Sequence, residues 1–344
     1  MKKARILAVL LLLFVAAAAA GYVYFQQQLK VPHASAAAAK PFEIPTGLGV
    51  REVLQLLHRQ DVIADENIAL AYVVVSGNRK ALKAGEYFFD KPLTIPEVID
   101  RLARGGVYLH RLTVPEGLTV AEIGGVWEAQ GFGKAEEFAA AAAGAGDLVR
   151  DLEGKDKADL SLEGYLFPET YSFPARTTAR KAIEAMVARF RVVLGQLKKE
   201  TPAESWPLSV RETLILASLV EEEARHDDER PLVASVFMNR IEKNALLQCD
   251  PTVIYALQLV NRYRGNLLSA DLKFDSPYNT YRYAGLPPGP ISNPGRRSLD
   301  AAVKPASSAY YYFVRTIEGR HTFSETLAAH NRAVAAYRAM VRRK

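Results

Sequence analysis

Three consecutive glutamates, Glu221, Glu222 and Glu223, end an apolar stretch that begins at Leu214. On a helix, residues three, four and seven apart share a face. That rule places Val220, Leu219 and Leu216 behind Glu223, and Ser218, Ala217 and Leu214 behind Glu221. Ahead, Glu221 meets Arg225, Glu222 meets Arg225 and His226, and Glu223 meets Asp227. Glu221 and Glu222 are therefore expected to have cationic or titrating partners, which favour the ionised form. Glu223 has an apolar face behind it and a negative neighbour ahead. Desolvation and like-charge repulsion both raise a carboxyl pKa. A carboxylic acid that keeps its proton near neutral pH is what a general acid requires. A solvated glutamate face would carry no such chemistry, so the surrounding elements must decide.

A second group of side chains lies in FDSPYNTYRYAGLPPGPISNPG, residues 274–295. Tyr278, Tyr281 and Tyr283 occur there with Asn279, Thr280 and Asn293, among repeated prolines and glycines. Long ordered loops in compact domains are usually functional. Tyrosine rings stack on the apolar faces of sugars, and side-chain amides pair with acetamido groups and hydroxyls. Tyr278 and Asn279 are the expected sugar contacts. Asn239, one helix beyond the glutamates, is a third candidate, either to orient the acid or an acetamido group or as a solvated or capping amide, the latter being the more usual role. Glu163 and Glu169 flank an aromatic proline turn, and either a groove position or an ion pair suits them. His226 is a rival base, but it shares the face of Glu222.

Other chemistries find little support. Cys249 is the single cysteine, so no internal disulfide and no CxxC pair is possible. The six histidines form no His-Glu-x-x-His pattern, and neither a Gly-x-Ser-x-Gly elbow nor a P-loop occurs. No metal and no organic cofactor is implied. The net charge of +6 includes Lys2, Lys3 and Arg5 at the start and Arg342-Arg343-Lys344 at the end. It forms no stripe for nucleic acid.

The elements that must position these groups can be read along the chain. Ile6 to Phe25 is an apolar run of about 20 residues, which as a helix spans roughly 30 Å, the thickness of a bilayer core. The cations before it place the N-terminus, residues 1–5, in the cytoplasm and the rest outside. The Ala-rich stretch also allows a cleaved signal peptide, but the run is long for one and continues through Tyr22-Val23-Tyr24-Phe25. A retained single-pass anchor in the inner (cytoplasmic) membrane is expected at 6–25, followed by a tether over 26–40.

From Phe42 a strand, a Pro-Thr-Gly turn and a helix are expected. LKAGEYFF (82–89) reads as a strand, and Thr94–Leu102 as a helix with Thr94 as N-cap and Glu97 at capping-box spacing. FEIPTGLGVREVLQLL (42–57) is echoed by LTVPEGLTVAEIGGVW (112–127), either as a repeated strand-turn-helix unit or as two ordinary turns. Helices are expected at Thr178–Lys199 and Val210–Glu223, with another beginning near Pro231. Strands are expected at Tyr310–Val314 and Thr322–Phe323. Ser324 is expected to cap a last helix that turns Leu327, Val334 and Tyr337 inward. The fold class is α+β, with a small module at 41–110 and a larger mixed domain at 111–344.

Taken together, the motifs resemble the MltG (YceG-like) endolytic murein transglycosylases. EGYLFPETY (163–171), ASLVEEEA (217–224), VFMNRI (236–241), LQCDPTVIYAL (247–257), YNTYRYAGLPPGPISNPG (278–295), YYFVRT (311–316) and HTFSETLAAHN (321–331) carry the resemblance, in the family's order. Cys249 and Ala224 depart from it, each standing where threonine is expected. The resemblance implies that the last acid of the glutamate string, here Glu223, is catalytic, which is the residue that helical spacing selects. It implies a LysM-like character for 41–110. It also implies peptidoglycan glycan strands as substrate, cut inside the strand between N-acetylmuramic acid and N-acetylglucosamine, and peptidoglycan synthases as partners. Protonated Glu223 would protonate the glycosidic oxygen, the acetamido group would stabilise the cation, and the 6-hydroxyl would close a 1,6-anhydro ring as Glu223 takes its proton. A hydrolytic muramidase and a non-catalytic wall-binding scaffold are the alternatives.

Overall fold

A computed structural model of the chain describes residues 2–33, 40–77, 82–153 and 160–341. Part of the expected tether (34–39) lies outside the described residues. The architecture is mixed α+β, in two compact units. One comprises Met1–His110 with Ser172–Ala175, and the other Arg111–Tyr171 with Arg176–Lys344.

In the first unit, α1 (Lys2–Gln28) is longer than the expected span and buries none of its residues. Its most apolar 18-residue stretch has a mean hydropathy of 2.7, so the helix is long and apolar enough to cross a membrane. Strand β1 (Phe42–Ile44) pairs antiparallel with β2 (Gly85–Tyr87), Phe42 opposite Tyr87. Against this ribbon lie α2 (Val50–Arg59), α3 (Glu66–Val75) and α4 (Ile95–Arg104). Their buried faces (Val53, Leu54 and Leu57; Ala69 and Val73; Val98, Ile99 and Leu102) close one core with Ile44 and Tyr87. Thr94 caps α4 as its spacing predicts, with Glu97 reaching back to the Thr94 N–H at 2.7 Å. The expected strand at 82–89 is confined to three residues, because the flanking backbone bonds elsewhere: Lys83 N–H donates to Leu102 O.

The second unit begins in strand β3 (His110–Thr113), followed by α5 (Val120–Ala129), α6 (Ala135–Ala143) and α7 (Arg150–Glu153). Strand β4 (Thr170–Phe173) precedes the long helix α8 (Ala179–Glu200). The two echoed segments take the same local form. In each a strand leads through a glycine of positive φ (Gly47 at 89°, Gly117 at 83°) to a helix with glutamate at its third position. Gly117 suits glycine through its positive φ, and its bare α-carbon lies against the Glu222 side chain, whose oxygen would sit 3.2 Å from a β-carbon there.

Helix α9 (Val210–Glu223) is the centre of this unit. Ser209 and Glu212 close its first turn as a capping box, and every residue from Thr213 to Val220 is buried. It packs against α10 (Arg230–Glu242), α11 (Asp250–Gln258) and α12 (Arg296–Val303). Strands β5 (Tyr312–Arg315) and β6 (His321–Ser324) form an antiparallel hairpin, with Arg315 opposite His321. The last helix, α13 (Leu327–Val341), is capped by Thr326, whose hydroxyl accepts from Ala329 N–H. Ser324 is instead the final residue of β6, and Leu327 is exposed while Val334 and Tyr337 are half-buried. The inward stripe expected there is therefore weaker than its spacing suggests.

Candidate active site

Helix α9 stops at Glu223 because Ala224 turns to an extended backbone (φ −90°, ψ 112°). This break overturns the expected contacts to Arg225, His226 and Asp227, which assume a continuing helix. It also leaves three carboxylates at a helix C-terminus, where the macrodipole disfavours negative charge. Each resolves this conflict differently.

Glu221 turns inward and is ionically held. Arg230, at the start of α10, bonds it at 3.0 Å, with both side chains more than nine-tenths buried. Its second oxygen accepts from Gly295 N–H at 2.9 Å. Arg230 also contacts Ser298 and Asp227. The cationic partner expected for Glu221 exists, but it comes from the next helix. Glu222 has no cationic partner among the described residues, contrary to expectation. Its carboxyl is raised to about 7, chiefly by burial, with a Ser292 hydrogen bond opposing and Glu122 and Glu221 adding to the rise. Its side chain is nevertheless open to solvent, so water screens it and the rise counts for less there.

Glu223 is half-buried, and its carboxyl is also raised to about 7. Burial is the main cause. A hydrogen bond from the Cys249 thiol (Sγ to Oε1, 3.3 Å) opposes it, and the negative charges of Asp250 and Glu222 add to it. The like-charge neighbour is thus Asp250, at the start of α11, and not Asp227. Cys249 is buried at 1% exposure, with its own thiol pushed up by burial and by Glu223. Replacing Cys249 by alanine removes a donor that favours ionised Glu223, so the alkaline limb of the pH–rate profile should move up. Serine, a stronger donor, should move it down. A shift in the same direction for both variants would show that this contact does not tune the acid.

The Glu223 carboxyl faces a trough of about 440 Å³. Its walls come from the end of α9 (Glu222, Glu223, Arg225), the segment entering α11 (Leu247, Gln248, Asp250), Tyr281, and the hairpin (Phe313, Val314, Arg315, His321), with Arg240 and His330 completing them. Two further troughs continue from it. One of about 460 Å³ shares Glu222 and adds Glu116, Thr119, Glu122, Tyr255 and Gln258. The next, of about 550 Å³, shares Thr119, Glu122, Tyr255 and Gln258 and runs to Leu259 and Tyr263. The three troughs adjoin through these shared wall residues as a furrow, with Glu223 in the first of them.

The expected sugar contacts fall elsewhere. Asn279 is fully buried. Its amide donates to Leu272 O (3.0 Å) and Phe274 O (2.7 Å), and its carbonyl accepts from Tyr281 N–H. Asn239 donates to Ser308 O and Tyr310 O, bracing the chain before β5. Tyr278 lies edge-on against Tyr255 at 5.0 Å. None of the three lines the trough at Glu223. Short amides near exposed carbonyls satisfy the backbone first, and spacing in a loop does not reveal which tyrosine faces out. Tyr281 is the one in the trough, its hydroxyl donating to Asp250 at 2.5 Å. His226 does not line the trough either.

Two residues passed over from spacing matter more. Arg240, adjacent to Asn239, donates to the carbonyls of Tyr311 (2.6 Å) and Leu247 (2.8 Å), tying hairpin to α11 entry across the trough. Asn293 is buried between three segments: it accepts from Leu166 N–H and donates to Leu118 O and Glu163 Oε1. Glu163 itself is buried, accepting from Val120 N–H (3.0 Å), Tyr255 Oη (3.2 Å) and Asn293. Burial raises it to about 8 against those donors. Glu169 pairs with Arg189 at the surface. Among the described residues, no cluster of metal-ligating side chains exists.

A mixed α+β domain that sets a half-buried, raised carboxylic acid in a polar trough suits acid-assisted cleavage of a glycosidic bond. The chain belongs to the YceG-like family, whose model matches residues 42–336. An endolytic murein transglycosylase from Bacillus subtilis (strain 168) is 32% identical over 328 residues, covering 92% of this chain and 89% of its own length. One from Streptococcus pneumoniae serotype 2 (strain D39 / NCTC 7466) is 31% identical over 340 residues, and this chain spans 61% of its length. The crystal structure of a YceG-like protein from Listeria monocytogenes is similar at a TM-score of 0.56 and 33% identity, covering 86% of this chain and 98% of that one.

Proposed function

We propose that this protein is a peptidoglycan lytic transglycosylase that cuts the N-acetylmuramic acid to N-acetylglucosamine bond inside glycan strands and leaves 1,6-anhydro ends. The observation that carries this reading is Glu223, a carboxyl raised to about 7 and facing the furrow. The names of the relatives supply the substrate class. Glu223 gives its proton to the glycosidic oxygen, which leaves with the bonding electron pair. The acetamido oxygen of the muramic acid bonds to the anomeric carbon. The 6-hydroxyl then displaces it, and Glu223 recovers a proton from that hydroxyl. No water is consumed.

Helix α1 anchors the chain to the inner membrane, with the catalytic domain, residues 111–344, outside the cytoplasm. The module at 41–110 is LysM-like and holds glycan. In this reading the enzyme ends nascent strands beside the synthases that extend them. A furrow of three linked troughs supports cutting within a strand. Digestion of long purified strands by the full-length protein in detergent should shorten the whole length distribution early, whereas release of single disaccharides from intact long strands would count against it.

A second reading has a specific basis. Asp250 lines the same trough as Glu223, and a pair of carboxyl groups is what a hydrolytic muramidase uses. Against it, Asp250 accepts the Tyr281 hydroxyl at 2.5 Å, which ties that carboxylate to the wall.

A further inference from the structure

The trough at Glu223 carries three arginines, more than a neutral sugar polymer requires. Arg240 is committed to the backbone carbonyls around it. Arg225 and Arg315 are different. Both are exposed, and among the described residues neither side chain has an ion pair or a hydrogen bond. The other cations around the same end of the domain are engaged. Arg230 holds Glu221, Arg297 meets Asp227, Arg320 meets Asp228 and Glu229, and His321 meets Glu229. Of the acids on the trough wall, Asp250 is occupied by Tyr281, Glu223 accepts the Cys249 thiol and is raised to about 7, and exposed Glu222 forms no ion pair with either arginine among the described residues.

The two arginines come from separate, well-fixed elements. Arg225 follows the end of α9, two residues beyond Glu223, and Arg315 ends β5, where it is paired in register with His321. Across Glu222 the sign of the wall reverses: the next trough is lined by Glu116, Glu122, Glu221 and Glu222, with no cationic side chain. The furrow is therefore polar in charge along its length, with Glu222 at the change of sign. Guanidinium groups match carboxylates in geometry and charge. On a peptidoglycan strand the carboxylates belong to the stem peptides borne by the muramic acid residues.

We propose that Arg225 and Arg315 form a carboxylate subsite that takes the acidic groups of a stem peptide next to the bond being cut. This rests on the transglycosylase reading and adds to it a dependence on substrate charge and a preferred direction of the strand. The test compares three preparations of the same strands: with native stem peptides, with the peptide carboxyls amidated, and with the peptides removed by an amidase and the lactyl carboxyls so freed then amidated. Cleavage rate and co-sedimentation are measured for the full-length protein in detergent, for Arg225→Gln/Arg315→Gln, and for Arg225→Lys/Arg315→Lys. The parent should prefer native strands by at least about tenfold over both other preparations. The glutamine variant should bring that ratio close to one, and the lysine variant should keep part of it. Equal handling of all three preparations by the parent would overturn the subsite while leaving the enzyme reading intact. A preference lost only on peptide removal, and not on amidation, would also overturn it. Should the parent cleave none of them, the enzyme reading falls, and the co-sedimentation ratios decide the subsite by the same criteria.

Discussion

Glu223→Gln should abolish strand cleavage, with a loss of about a thousandfold, within the span that a positioned general acid contributes. Glutamine keeps the shape and an acceptor for the Cys249 thiol, so the thermal melting curve and strand binding should hold. It cannot donate an acidic proton. In the parent, activity depends on the protonated acid, and the folded pKa is about 7. The rate should thus be level below that value and fall about tenfold per pH unit well above it. Glu222→Gln is the control. Its carboxyl is also raised to about 7 but is open to solvent, and its loss should cost far less. Equal losses for both variants would assign the acid role to the pair.

The second large effect is on stability. Glu163→Ala should cost about 3–9 kcal/mol, because three donors, Val120 N–H, Tyr255 Oη–H and the Asn293 amide, lose one buried acceptor group, at about 1–3 kcal/mol each. Those donors lie on α5, α11 and the loop before α12, so the furrow wall should loosen with them. Glu163 also sets a pH dependence. Its folded pKa, about 8, lies above the value of an exposed carboxyl. The folded state therefore holds a proton that the unfolded state has lost. Stability from this group is full below the unfolded pKa and declines as pH rises toward 8. Glu163→Gln should flatten that slope between about pH 5 and 8, read from urea unfolding midpoints.

Much of the scaffold was legible in local chemistry. Thr94 with Glu97, and Ser209 with Glu212, mark helix starts because a cap and its reciprocal acid lie three residues apart. The two echoed turns were legible because proline and glycine fix the backbone within a few residues. Helices α11 and α12 were not read as helices, since their short apolar runs give too few turns for a period. At the site, Glu223 was legible because the apolar stripe of α9 reaches it in phase. Its neighbours were not, because the helix breaks at Ala224 and the charges that matter, Asp250 and Arg230, arrive from other elements. Tyr281 stands three residues from Tyr278, and Arg240 stands next to Asn239. Which of two adjacent side chains faces a cavity depends on backbone direction in three dimensions.

In the proposed mechanism one carboxylic acid drives an internal ring closure without water. Digestion of purified strands in water labelled with heavy oxygen, followed by mass spectrometry of the new ends, tests it most directly. Internal ring closure gives 1,6-anhydro ends with no label. Reducing ends that carry one labelled oxygen would contradict it and would leave Asp250 and Glu223 as the pair of a hydrolase.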